Sequence, residues 1–130
     1  MNLQQFLRDY AERTRNSFIE YTDTVDVVTV SLGASRFQNV GVYQVVRNGR
    51  SVIEFLSKVC PANEYIDHVA LLELNHELCY CKVVIHEGIV QVAAAIPAAR
   101  ATDEELSDIM SEVAQVADQL EFELTGQDVN

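Results

Sequence analysis

The spacing of apolar residues changes along the chain, and each change marks an element. Over residues 2–19, Leu3, Phe6, Leu7, Tyr10 and Thr14 recur at steps of three and four, and Phe18 continues the stripe. That is the period of a helix with one apolar face. Gln4, Gln5, Arg8, Asp9 and Glu12 fill the other side. From 24 to 32 the period falls to two: Val25, Val27, Val28 and Val30 form a β-branched run closed by Gly33, which predicts a strand. Residues 42–47 and 51–57 flank Asn48-Gly49. Both turn residues accept positive φ, as a type I′ hairpin turn requires. The hairpin brings Val42, Val45 and Val46 toward Val52, Ile53 and Phe55, and Pro61 stops its second strand.

A helix is expected over 64–76 with Asn63 as its cap. Ile66, Val69, Ala70, Leu71, Leu72 and Leu74 make it apolar on most sides, the pattern of a helix that is buried or sits at an interface. A second hairpin, 78–86 and 89–96, turns at Glu87-Gly88. Cys81, Val83 and Ile85 share one face of its first strand, and Val90, Val92, Ala94 and Ile96 one face of its second. Small Ala93 and Ala95 allow close packing, and Pro97 ends the strand. The last helix opens with a capping box, Thr102 at the cap and Glu105 three residues on. Asp103, Glu104 and Glu105 suit the positive end of the helix dipole. Leu106, Ile109, Met110, Val113, Val116, Ala117, Leu120 and Leu124 form its apolar stripe, Gly126 caps its end, and 127–130 are expected to fray. The order is α-β-β-β-α-β-β-α. It predicts an α+β fold with one antiparallel sheet and helices packed on it, a single domain over 1–130.

Composition fits that reading: 48% apolar and 22% charged residues are the balance of a globular chain. No apolar run reaches the roughly 20 residues of a membrane helix. The first 15 residues lack the apolar core and cleavage site of a signal peptide, so a cytoplasmic location is expected. Three cysteines, Cys60, Cys79 and Cys81, are an odd number and are expected to be reduced.

Charge changes the picture more. The net charge is −11, and all of it lies in the second half: residues 1–65 hold seven bases and seven acids, whereas 66–130 hold two and thirteen. Such a field repels phosphate, so neither nucleic acid nor an anionic membrane is an expected partner. A basic protein segment would be attracted at low salt, but acidity that simply keeps the protein soluble is the preferred reading.

Candidate chemistry is sparse. Cys79-Tyr80-Cys81, read as strand, puts two thiols on one face, with His76 before them and His86 at the strand end. Four converging ligands are needed for zinc, and a regular strand turns His86 to the opposite face. Two buried thiols acting as small apolar residues are the simpler reading. Cys60 with His68 or His76 would be the pair for a nucleophilic thiol, and a core thiol is preferred. Asp103, Glu104, Glu105, Asp108, Glu112, Asp118, Glu121 and Glu123 fall mostly opposite the apolar stripe and read as a solvated helix surface. Arg47 and Arg50 flank a hairpin turn and could grip an anion, though a solvated turn fits better. The five glycines are isolated, without a phosphate-loop pattern. No residue is singled out as catalytic, cofactor-binding or metal-ligating, and no cofactor is expected.

Three stretches carry a family resemblance: the hairpin Val45-Val46-Arg47-Asn48-Gly49-Arg50-Ser51-Val52-Ile53-Glu54-Phe55, the helix end Leu71-Leu72-Glu73-Leu74-Asn75, and Ala95-Ile96-Pro97 followed by Glu104-Glu105-Leu106 and Val113-Ala114-Gln115-Val116-Ala117-Asp118. Over about residues 20–125 they resemble the type III secretion chaperone-like fold and, more narrowly, the YbjN-like proteins. The resemblance implies a small, acidic, cytoplasmic homodimer. Such a protein uses no nucleotide and holds an extended or unfolded segment of a client protein against apolar patches. Those patches are dispersed in the fold, so no binding residue is carried over. The function expected is therefore a non-enzymatic protein-binding module. The alternatives are a small thiol/histidine metal-binding or redox protein built on Cys79 and Cys81, and a regulatory adaptor acting through its acidic face.

Overall fold

The computed structural model describes residues 2–126. In chain order it contains α1 (Leu3–Thr14), β1 (Ser17–Glu20), β2 (Val25–Ser31), β3 (Phe37–Arg47), β4 (Arg50–Pro61), α2 (His68–Leu74), β5 (Lys82–His86), β6 (Ile89–Pro97) and α3 (Asp103–Thr125). Short 3-10 turns follow α2 and β6. The six strands form one antiparallel sheet in the order β1-β2-β3-β4-β6-β5. The expected α+β architecture is met, with one strand more than the sequence pattern suggested. The expected fraying of 127–130 lies outside the described residues.

That extra strand comes from the end of the first helix. The 2–19 stripe stops at Thr14, because Arg15 takes a left-handed conformation (φ 59°) and its N–H closes on Ala11 and Glu12. Asn16 then bonds out of the helix, accepting from Ser31 N–H at 2.8 Å. Phe18 leaves the helix and pairs in β1 opposite Val28. Its ring still packs on the core, under the Arg8 guanidinium. A side chain at the helical spacing thus reaches the same apolar layer from a strand.

The two hairpin turns follow the backbone logic of their residues. Asn48 and Gly49 have φ of 51° and 78°, and Glu87 and Gly88 have 51° and 76°, as type I′ turns demand. In the first hairpin Val45 faces Val52 and Val42 faces Phe55, while Val46 meets Ser51. A bulge between Lys58 and Cys60 lets β4 continue to Pro61 against β6.

Helices α1 and α3 cover one face of the sheet, α1 over β1 and β2, α3 over β3, β4 and β6. Between them and the sheet lie Leu7, Val28, Val40, Val42, Phe55, Val92, Leu106, Met110 and Val113, all fully buried. Each such side chain contributes about 1.5–3 kcal/mol relative to its exposed state. Thr102 caps α3 as expected, accepting from Glu105 N–H at 3.2 Å, and Gly126 (φ 72°) ends it.

The middle helix departs from its expected form. It begins at His68 rather than 64, capped by Asp67, while Asn63 instead accepts from Tyr65 N–H at 2.8 Å in a turn before it. Only Leu71 of α2 is buried; Val69 and Leu72 are exposed. The chain at 78–81 is also not strand. Cys79, Tyr80 and Cys81 form a bend before β5, with Cys79 exposed and Cys81 buried, so the thiols do not share a strand face.

A candidate polypeptide-binding surface on the open sheet face

Strand register decides which residues look away from α1 and α3. Val27 pairs with Gly41 and Gly41 with Leu56; Val25 pairs with Tyr43 and Tyr43 with Glu54; Leu56 pairs with Ala93. These positions alternate with the buried Val28, Val42 and Phe55, so they form the opposite face. Over β1 to β4 that face carries Ile19, Val25, Val27, Tyr43, Val45, Val52 and Leu56. It is apolar where a sheet facing only water usually carries polar residues. Ile19 and the following Tyr21 are 52% and 68% exposed.

The face is hollowed into a groove of about 400 Å³ lined by Ile19, Tyr21, Val25, Val27, Leu56 and Lys58, among others. Its floor is Gly41. Glycine inside a strand weakens the strand and often marks the close approach of another backbone or a ligand. Gly41 has no positive φ that would require glycine. A Cβ there would stand 3.6 Å from Val25 Cγ1 and 3.7 Å from the Leu56 carbonyl, in ordinary contact. Neither backbone geometry nor core packing demands a glycine here; what it gives is the hollow.

Polar groups edge the groove. Thr29 Oγ1 donates to Asn39 Oδ1 at 2.7 Å. Beyond Tyr43, Arg47 Nε and Nη2 reach the two Glu54 carboxylate oxygens at 2.9 and 3.0 Å, and the Tyr43 hydroxyl bonds to Glu54. The Arg47 hydrogen bonds hold the Glu54 carboxyl below its ordinary value. Burial pushes the Tyr43 hydroxyl up, and the Glu54 bond adds to that. The cluster is a neutralised pair, and it orders one end of the groove.

The residues that could have carried chemistry are placed elsewhere. Cys81 is pushed up to about 12, first by burial and then by its hydrogen bond to Glu112. Cys60 is raised by burial and by the charge of Glu121. Both shifts hold the thiol protonated, the reverse of what a nucleophile or metal ligand needs. His68 opens α2, His76 lies in the turn after it, and His86 ends β5 beside Glu87 at 3.5 Å. Among the described residues no group of three or more His, Cys, Asp or Glu is arranged to hold a metal ion. Arg47 is committed to Glu54.

Two acids of α3 do not belong to a solvated surface. Glu112 accepts from the backbone N–H groups of Cys79, Tyr80 and Cys81 at 2.7–2.9 Å. Glu121 is fully buried, with Gln38 Nε2 donating to it at 3.4 Å and Ser57 Oγ donating to Gln38 Oε1 at 3.1 Å. Both tie α3 to other elements. A larger hollow of about 540 Å³ lies between Leu32, Arg36 and α3. Apolar Leu32 and Phe122 share its wall with Gln115, Gln119, Glu123 and Arg36, the last paired there with Asp118 at 3.2 Å. The groove over Gly41 is the more apolar of the two hollows.

Nothing in the sequence pattern singled out this face. Its signals are in the sequence nonetheless: Gly41 inside an apolar run, and apolar residues at both parities of the strands.

No family model matches the chain, and no curated protein sequence matches it. Among solved structures, a chain of the HopA1-SchA chaperone-effector complex is similar, with a TM-score of 0.60 at 10% identity over 91% of each chain. At that identity the likeness is one of fold. The protein shares the fold of that chain, which supports the fold, though not the YbjN-like family, that the resemblance read from the sequence implied.

Proposed function

We propose that the protein is a non-enzymatic, chaperone-like module that holds an extended or unfolded protein segment on the open face of its sheet. The observation that carries this reading is the groove over Gly41, an apolar hollow on the sheet face turned away from α1 and α3. The fold shared with a chaperone-effector structure supports it. A YbjN-like relationship, a single domain over 1–130 and a cytoplasmic setting complete the proposal, with neither nucleic acid nor membrane as partner and no cofactor. Among the described residues no helix is long and apolar enough to cross a membrane. We further propose a homodimer. Val69 and Leu72, one helical turn apart and 64% and 69% exposed on α2, are apolar surface for a second copy to cover.

The test is a titration of isotope-labelled protein with a 16-residue peptide of alternating Leu and Ser, kept below the concentration at which it self-associates. Saturable binding with backbone shifts at Val27, Gly41 and Leu56 is expected. No binding, or shifts confined to α2 and α3, would refute the reading. Light scattering reads the mass: a dimer is expected, reverting to monomer in Leu72→Glu, and a strict monomer contradicts the homodimer.

A further inference from the structure

The chain carries a net charge of −11, yet the open face has the opposite sign. By register, the charged strand residues on that face are Arg47, Arg50, Lys58 and Lys82 against a single acid, Glu54. The acidic strand residues Glu20 and Asp26 fall on the helix-covered face, Glu20 bonded to Arg8 and Asp26 accepting from Gln4. Lys58 and Lys82 are the only lysines of the chain, and both stand on this face. Both are exposed, and among the described residues neither is within ion-pair distance of an acid, although the Lys82 charge is felt by Glu54. Lys58 lines the apolar groove. Lys82 stands across β6 from it, and the small Ala93 lies between Leu56 of β4 and Lys82 of β5.

We infer that the segment held on this face is apolar and acidic, so that its carboxylates meet Lys58 and Lys82 while its apolar side chains fill the groove over Gly41. This deepens the proposed function and rests on it. Overall charge alone points to a basic partner, but a segment lying on the sheet meets local charge within a Debye length of about 8 Å. A second copy is disfavoured as the occupant, because two such faces set against each other would oppose like charges. Lys58 and Lys82 are two strands and two residues of register apart, roughly 12 Å at ordinary sheet spacings. That matches two acidic residues four positions apart in an extended chain, on the same side as each other.

The test uses three 16-residue peptides sharing the same alternating Leu positions. Two polar positions four apart are Glu in the first, Ser in the second and Lys in the third. Fluorescence anisotropy in 50 mM salt is expected to rank them Glu, Ser, Lys, with about tenfold between the extremes. The spread should shrink at 500 mM salt, and the double variant Lys58→Glu/Lys82→Glu should reverse the order. Circular dichroism confirms that the variant is folded. Equal or tighter binding of the Lys peptide, or an order unchanged by the double variant, overturns the inference and leaves the proposed function standing. Binding of none of the three overturns both. A single-stranded 16-nucleotide DNA bound as tightly as the Glu peptide would assign the face to nucleic acid instead. A dimer of the native protein that survives Leu72→Glu in 500 mM salt but is lost there in the double variant would assign it to a second copy. Either result also overturns the inference.

Discussion

Asn75 bonds to Val83 through both ends of its side-chain amide. Val83 N–H donates to Asn75 Oδ1 at 2.6 Å, and Asn75 Nδ2 donates to the Val83 carbonyl at 3.2 Å. Val83 lies on β5, an outer strand of the sheet. The amide therefore occupies a backbone position that another strand could use, a way of blunting an edge that would otherwise recruit a neighbour. In Asn75→Ala the two bonds are lost, and stability should fall by about 1–3 kcal/mol in urea unfolding. The same variant should aggregate faster on warming. An unchanged unfolding midpoint would mean that water replaces the amide at no cost.

Glu112 does similar work for the bend before β5. Burial raises its carboxyl, but three backbone N–H bonds together outweigh that, and the group ends below its usual 4.5. A carboxyl depressed in the folded state stabilises above its unfolded pKa, and that stability is lost as pH falls through the folded pKa. Glu112→Gln should therefore be less stable at pH 7. The gap from the native protein should narrow as pH falls below 4.5 and through the depressed folded value. Urea midpoints across pH 2.5–7 check this, and a gap independent of pH would contradict it.

Thiol reactivity should separate the cysteines by place. Cys79 is exposed, while burial holds Cys81 and Cys60 protonated. Iodoacetamide at pH 8 should label one thiol quickly in the native protein and all three in urea. Mass spectrometry should find the fast label on Cys79. Rapid labelling of Cys81 would mean that the bend held by Glu112 opens readily.

The sequence made most of this architecture legible where backbone chemistry dictates it. Asn48-Gly49 and Glu87-Gly88 marked the hairpins, and Thr102 with Gly126 bracketed α3. Helical period failed at Phe18, because a strand side chain can reach the same core layer. It failed again over 64–76, where apolar residues suggested a longer helix and tertiary contacts left a seven-residue one. Glu112 and Glu121 counted as surface by spacing alone. Which carboxylate finds three backbone N–H groups, or a buried glutamine, depends on elements more than 30 residues away in sequence. The groove was illegible for the same reason: Ile19, Gly41 and Leu56 come together only through sheet register.

That groove exists because position 41 has no side chain. Gly41→Val should fold at least as well as the native protein, gaining about 0.5–1 kcal/mol from the loss of glycine's unfolded-state freedom. The decisive measurement is the affinity of this variant for the alternating apolar peptide, taken beside its unfolding midpoint. Binding weakened tenfold or more at an equal or higher midpoint is the result predicted. Undiminished binding by the folded variant would show that the segment is held elsewhere.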